Sequence, residues 1–314
     1  MVYIKKISRF NRRIMYFKMK KLLLSIFIAG AIVSCKKKDK DIQVETKEAY
    51  NKGIVTMAVE SSIYPIADDL NNVFKSYYAD ANIDLKMQSQ NEILNALKKD
   101  QIRLAIVPYD FTSKELEFFK GKVVPKVTTI AKDAILFVGT KDTNDTLVNY
   151  TDVIKIFKGE INSNRIFVFH DANSAIVNKL KQDAGINDIS KNVYYTKTVE
   201  EIVSYLNKNK NAVGVVGINW MVQPDQNIKD AIKGLKSLYV YNDSLKNYYK
   251  PSQSSIADKT YPLVRNINII DVQGKTGLGT GFATFAASDK GQRLILKSGL
   301  MPVTMPKREI NIVE

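Results

Sequence analysis

Two serines, Ser61 and Ser62, close a short apolar run that begins at Ile54 and stand just before a helical pattern through Leu70, Val73, Phe74 and Tyr77. A strand, a tight loop and a helix read in that order place two hydroxyls, backbone N–H groups and the positive end of a helix dipole at one point, which is the chemistry needed to hold an anion. One such junction would be explained by Ser62 capping the helix. The device recurs, however, at Ser89, ahead of the helical face Ile93, Leu94 and Leu97, and at Asn173 and Ser174, ahead of a helix running to about Asp183. In an open α/β sheet, ligands bind outside the carboxyl ends of the strands. Loops 60–64, 88–91, 107–112 and 170–175 all lie at such ends, so the expected site is an oxyanion cage built without metal. Its candidate contacts are Ser61, Ser62, Ser89, Tyr109, Asp110, His170, Asn173 and Ser174, with Asp110 and Asp171 as candidate acceptors for the proton of an acidic oxyanion.

Other chemistries find no support in the residue inventory. His170 is the sole histidine and Cys35 the sole cysteine, which excludes intrachain disulfides and leaves too few ligands for a His- or Cys-based zinc site. Asp171, adjacent to His170 in sequence, is badly placed to orient the ring as a catalytic triad does. There is no Gly-x-Ser-x-Gly elbow and no Walker A sequence. The Gly277–Gly281 loop has Phe282 where the dinucleotide fingerprint needs its third glycine, and only about 30 residues follow it. No catalytic residue, cofactor or metal is therefore expected, and the protein is not expected to be an enzyme.

The elements that must position the cage alternate. Ile83–Met87 alternates as a strand, Leu104–Val107 is a buried-type strand, and Ser89-Gln90-Asn91-Glu92 and Thr112–Glu115 have capping-box spacing. A second β/α region follows: a strong strand at Ala134–Val138, a short helix capped by Thr151 and stopped at Gly159, and a strand at Arg165–Phe169. It continues with a helix closed by Gly185, a short strand at Val193–Tyr195, a third capping box at Thr198–Glu201 and a strand at Val213–Gly217. Residues 224–260 are polar, with one strand-like piece at Leu238–Tyr241. Tyr261–Ile270 reads as a long strand crossing between domains, and helices are expected over Phe282–Ala287 and from Ser288 to Gly299.

The net charge of +15 is mostly a property of the N-terminus. Residues 1–40 carry 12 Lys/Arg and one Asp, leaving 35 basic and 31 acidic residues, a net of +4, for the other 274, so nucleic acid is not an expected partner. Met19-Lys20-Lys21, the apolar Leu22–Ile28 and Ile32-Val33-Ser34-Cys35 have the form of a secretion signal, with an apolar run too short to span a membrane. Its end resembles a bacterial lipobox, which implies that Cys35 is lipidated and becomes the first mature residue. Met19 is the expected true start rather than Met1. The expected organisation is a signal peptide over 1–35, a flexible tether over 36–52, a first lobe from 53–130 plus 262–314, and a second lobe over 131–261.

The order of motifs resembles the periplasmic phosphate-binding proteins of ABC transporters, the type II solute-binding fold. Glu60-Ser61-Ser62-Ile63-Tyr64-Pro65 is similar to the family's first anion loop, and Ile130-Ala131-Lys132-Asp133-Ala134 to its crossover segment. Ile156-Phe157-Lys158-Gly159 is similar to its Ile-Phe-x-Gly motif. Val213–Gly217, Tyr261–Arg265 and the Gly291–Pro302 segment follow in the family's order. The resemblance covers about residues 53–303. It implies an α/β fold of two lobes, with mixed sheets covered by helices and a ligand cleft between them. It further implies a monomeric, periplasmic, lipid-anchored protein that captures phosphate or a similar oxyanion for ABC permease subunits. The family's second-lobe loop commonly reads Arg-x-x-Gly-Ser-Gly-Thr, whereas this chain has Phe169-His170-Asp171-Ala172-Asn173-Ser174-Ala175, without the arginine. Pro108-Tyr109-Asp110 stands where the family has Ser-Asp. Two alternatives therefore stay open: a binder of another small ligand, and an envelope sensor or adhesion lipoprotein on the same fold.

Overall fold

The computed structural model describes residues 48–189 and 191–307. The expected signal peptide, Cys35 and the tether as far as residue 47 lie outside the described residues. Strand β1 (Gly53–Glu60) passes through one 3-10 turn (Ser61–Ile63) into α1 (Tyr64–Tyr77), followed by β2 (Ala81–Gln88), α2 (Gln90–Lys98), β3 (Leu104–Val107) and α3 (Ser113–Glu117). The long β4 (Lys126–Thr140) leads to β5 (Leu147–Val148), α4 (Tyr150–Lys158), β6 (Ile166–His170), α5 (Ala175–Ala184), β7 (Val193–Thr196), α6 (Val199–Lys208), β8 (Ala212–Gly217) and α7 (Ile218–Val222). Then come α8 (Lys229–Ile232), β9 (Leu235–Ser237), β10 (Tyr239–Asn242), β11 (Asn247–Tyr249), α9 (Gln253–Ala257), β12 (Val264–Asp271), α10 (Leu278–Ala287), α11 (Asp289–Lys297) and β13 (Met301–Pro302).

The main sheet has the order β2-β1-β3-β12-β4-β8-β6-β7. Two parallel triplets, each fed by helical crossovers, therefore stand on either side of the antiparallel pair β12 and β4. The first part of β4, as far as Ala134, pairs with β12, while Ile135–Val138 pairs with β8. This makes β4 the backbone link between two lobes. Helices α10 and α11 return to pack on α1 in the first lobe.

Burial explains the elements. On α1, Ile66, Leu70 and Phe74 fall on one helical face and are buried, and Phe74 meets Phe282 and Phe285 edge-on at 5.4 Å. In the second lobe Phe157, Phe167 and Phe137 form a similar edge-on series. Gly159 and Gly185 end α4 and α5 in the left-handed conformation, at φ of 76° and 65°.

Four expectations need correction. Glu48, within the expected tether, is tied to the fold, accepting the Leu278 N–H at 3.0 Å and pairing with Lys275 at 2.5 Å, while Tyr50, Asn51 and Lys52 are exposed. Gly277–Gly281 is not a loop, since α10 begins at Leu278. A Cβ at Gly281 would lie 1.8 Å from the Tyr50 carbonyl oxygen, so this glycine lets the chain's own backbone approach the helix. Asn149, not Thr151, caps α4, with its side chain accepting from the N–H groups of Thr151 and Asp152. Finally, the 224–260 region forms three short strands rather than one, because β9 adds to the edge of β4 while β10 pairs with β5 and β11.

Candidate functional site

The last residue of β1 determines the site. Glu60 is completely buried at the point where the strand turns into the 3-10 turn. Its Oε2 accepts from the Ser62 N–H at 3.0 Å and from Ser62 Oγ, and its Oε1 accepts from Ser61 Oγ at 3.4 Å. From the opposite lobe, the N–H of Ala175, the first residue of α5, donates to Oε1 at 2.9 Å. Donors from both lobes thus converge on one carboxylate. Ser62 does not cap α1, whose N-cap position is Ile63 with no side-chain hydrogen bond, so its donors are free for this task.

A second layer holds Ser62. Arg265 Nη2 donates to Ser62 Oγ at 2.7 Å and to Asp133 Oδ2 at 2.6 Å, with Nε also donating to Asp133 at 2.9 Å. Arg265 and Asp133 are register partners across β12 and β4, which places the two side chains on the same face of the sheet. Asp133 also accepts the Ile218 N–H at 3.1 Å, at the start of α7. Burial pushes the Asp133 carboxyl above its ordinary value, the Arg265 guanidinium pulls it back, and the charge of Glu60 adds to the rise. Beside this network lie buried polar atoms without a hydrogen-bond partner: Arg265 Nη1, both side-chain polar atoms of Asn219 and Trp220 Nε1. A cavity of about 10 Å³ bounded by Ser62, His170, Ser174, Gly217 and Trp220 has room for about one water.

The remaining expected contacts divide between roles. Ser174 is buried, lines that cavity and caps α5, accepting the Val177 N–H at 3.4 Å. His170 lines it too, and its Nε2 lies 2.8 Å from the Lys197 carbonyl oxygen. Asn173 reaches across the cleft, its Oδ1 accepting from Asn91 at 3.2 Å, while Asn178 donates to Asn91 Oδ1 at 2.9 Å. The Asn173 N–H donates to Asp171, which takes a left-handed φ of 64° to form the turn. Ser89 is instead absorbed by its capping box, donating to Glu92 at 2.8 Å and accepting the Glu92 N–H at 3.3 Å. Tyr109 and Asp110 form a separate cluster in the first lobe. Asn266 and Asn268 donate to Asp110, at 3.1 and 2.9 Å, and the Tyr109 hydroxyl donates to Glu115. Burial and that acidic partner push the Tyr109 hydroxyl pKa well up.

A third contact crosses the cleft where Gln223 donates to Asp69 at 2.6 Å. Burial, with Asp68 and Asp225 nearby, pushes the Asp69 carboxyl up to about 6, and burial also raises Asp225. Among the described residues no group of three or more His, Cys, Asp or Glu side chains is arranged to hold a metal ion. None of the described helices is long and apolar enough to cross a membrane.

Glu60, Asp133 and Arg265 lie within the family-like motifs of the sequence, but none is among the expected site contacts. A signal was available for Glu60, because a carboxylate ending an apolar run that leads into a buried turn must find donors. Asp133, next to Lys132, and Arg265, in a strand that alternates apolar and polar residues, carry no such signal. Asn219 offered none.

The fold of two β/α lobes is matched among known proteins. Residues 44–290 match the PBP superfamily domain, and the chain belongs to that family. It is 23% identical over 307 residues to the phosphate-binding protein PstS of Borreliella burgdorferi, covering 91% of this chain and 99% of that protein. Among solved structures it is similar to a Clostridium perfringens protein crystallised with bound phosphate, with a TM-score of 0.65 at 16% identity over 80% of this chain and 100% of that one. An ABC-type phosphate transport receptor from Vibrio cholerae is similar with a TM-score of 0.61 at 19% identity, over 80% of this chain and 100% of that one.

Proposed function

We propose that this protein is the solute-binding component of an ABC transporter and that it captures an oxyanion, with phosphate as the leading ligand, in the cleft between its lobes. The observation that carries this reading is the convergence of the Ser62 and Ala175 N–H groups, from opposite lobes, on one anionic group together with the hydroxyls of Ser61 and Ser62. Backbone N–H groups at a helix start, backed by a buried cation, hold an oxyanion without metal. The protein's similarity to phosphate-binding proteins over nearly its whole length supports the same ligand class. Capture makes and breaks no covalent bond. The ligand shifts the lobes toward the closed arrangement, which ABC permease subunits then read.

The rest of the proposal concerns setting. The protein acts as a monomer in the periplasm, held to a bacterial membrane by acyl chains on Cys35, since a single chain binds only marginally and several bind stably. Asp110, fixed by Asn266 and Asn268, is the candidate acceptor that separates hydrogen phosphate from sulfate, which has no proton to share. A second reading, a binder of another small ligand, draws support from the 170–175 loop, which has no arginine, while the buried cation Arg265 is already paired with Asp133. A thermal-shift screen of the protein against phosphate, sulfate and organic phosphates, followed by calorimetry, tests both. Stabilisation by phosphate above sulfate is expected. Stabilisation only by an organic phosphate, or by none of the three, would overturn the phosphate assignment.

A further inference from the structure

We propose that Glu60 is a tethered anion: its carboxylate occupies the oxyanion cradle, fastens the two lobes together, and must be displaced before a free oxyanion can be held there. This deepens the proposed function and rests on that reading for the identity of the displaced site.

The donors are those an oxyanion would use. Ser62 N–H, Ser62 Oγ and Ser61 Oγ from the first lobe and the Ala175 N–H from the second all end on the two oxygens of Glu60. Carboxylate and phosphate oxygens take such donors at the same distances, so the side chain mimics a ligand while remaining covalently part of β1. The bond to Ala175 spans 115 positions of sequence and joins one lobe to the other within a fully buried site.

A free anion cannot simply be added beside it. The space adjoining Ser62 and Ser174 is about 10 Å³, enough for one water and not for a tetrahedral oxyanion. Cation supply argues the same way. The carboxyl groups of Glu60 and Asp133 share the single guanidinium of Arg265 through one hydrogen-bonded chain, so that chain has no second cation to balance another anion at contact distance in this dry setting. Once Glu60 swings out, the serine hydroxyls and both N–H groups are released. The unpartnered Arg265 Nη1, Asn219 Nδ2 and Trp220 Nε1 then stand close by as further donors. The cradle is therefore present but gated, and the lobes are held closed by the chain itself.

The test uses the full chain with Cys35→Ser and spin labels on cysteines introduced at the exposed Lys99 of the first lobe and Gln182 of α5. Electron–electron distances are measured in phosphate-free buffer, and phosphate affinity by calorimetry. Glu60→Ala should lengthen the interlobe distance by several ångströms, and added phosphate should shorten it again. Glu60→Gln, which keeps the shape and removes the charge, should bind phosphate about tenfold more tightly than the parent chain, a difference of about 1.4 kcal/mol. Ala175→Pro deletes only the donor in the second lobe, at the first helical position where proline is tolerated, and should open the lobes with Glu60 still in place. It decides the lock even if Glu60→Ala does not fold. Unchanged distances in the variants that fold would overturn the lock, and equal or weaker phosphate affinity in Glu60→Gln would overturn displacement. Absence of phosphate binding in every variant would overturn the proposed function and the displacement step with it, while the distances would still decide the lock.

Discussion

Two junctions in the first lobe share a design and differ in use. At Ser62 and at Ser89 a strand ends, a serine follows, and a helix begins. Ser89 and Glu92 satisfy one another, hydroxyl to carboxylate and N–H to hydroxyl, so that junction is closed upon itself. Ser62 has no glutamate three residues on, and α1 has no side-chain cap. Its donors turn to Glu60, which in turn reaches the start of α5 across the cleft. The difference teaches that a capping box marks a helix start whose donors are already used. A serine junction without one has donors left to offer a ligand or, here, a carboxylate of the same chain.

The largest expected effect comes from removing what steadies Ser62 and has no counterpart at Ser89. Arg265→Met leaves Asp133, which is fully buried, without its cation, and should cost about 3–5 kcal/mol in chemical denaturation. A loss below about 1 kcal/mol would show that the pair does not anchor this junction. Thr112 repeats the self-contained design of Ser89, with Glu115 as its partner. Thr112→Ala should therefore cost about 1 kcal/mol and leave phosphate affinity unchanged by calorimetry. A loss of affinity would break the rule drawn from the comparison.

How much of this was legible beforehand follows from where the partners lie. The β/α alternation, the capping boxes at Ser89 and Thr112 and the left-handed glycines at Gly159 and Gly185 are local, and the sequence reading placed them correctly. The third expected capping box was only half right: Thr198 caps α6, but Glu201 reaches the Lys197 N–H instead of closing the box. The roles of Glu60 and Arg265 are not legible in this way because their partners are remote. Ala175 is 115 positions from Glu60, and the pairing of Arg265 with Asp133 is set by the antiparallel register of β12 on β4. Ser89, read as a ligand contact, is used up by its own helix, and the spacing that revealed the helix start also identified what would occupy the serine.

A smaller effect tests the cleft at Asp69, where Gln223 crosses from the other lobe. Its carboxyl is raised to about 6 in the folded protein, above its ordinary value of 3.8. The folded protein therefore takes up this proton more readily than the unfolded chain. The resulting stability is complete below about pH 4 and is lost as pH rises through 6. Because the side chain is only half buried, screening reduces the effect to about 0.5 kcal/mol. Asp69→Asn should flatten that part of the stability profile between pH 4 and 7, and an unchanged profile would mean that other groups carry it.

The most direct test of the central claim, that the Ser62 junction rather than the Ser89 junction forms the oxyanion cradle, is phosphate calorimetry on Ser62→Ala and Ser89→Ala side by side. The account predicts that Ser62→Ala weakens phosphate binding about tenfold or more, the loss of a charge-assisted hydrogen bond. It predicts that Ser89→Ala binds phosphate as the parent chain does while losing about 1 kcal/mol of stability. Equal losses of affinity in the two variants, or a loss confined to Ser89→Ala, would contradict it.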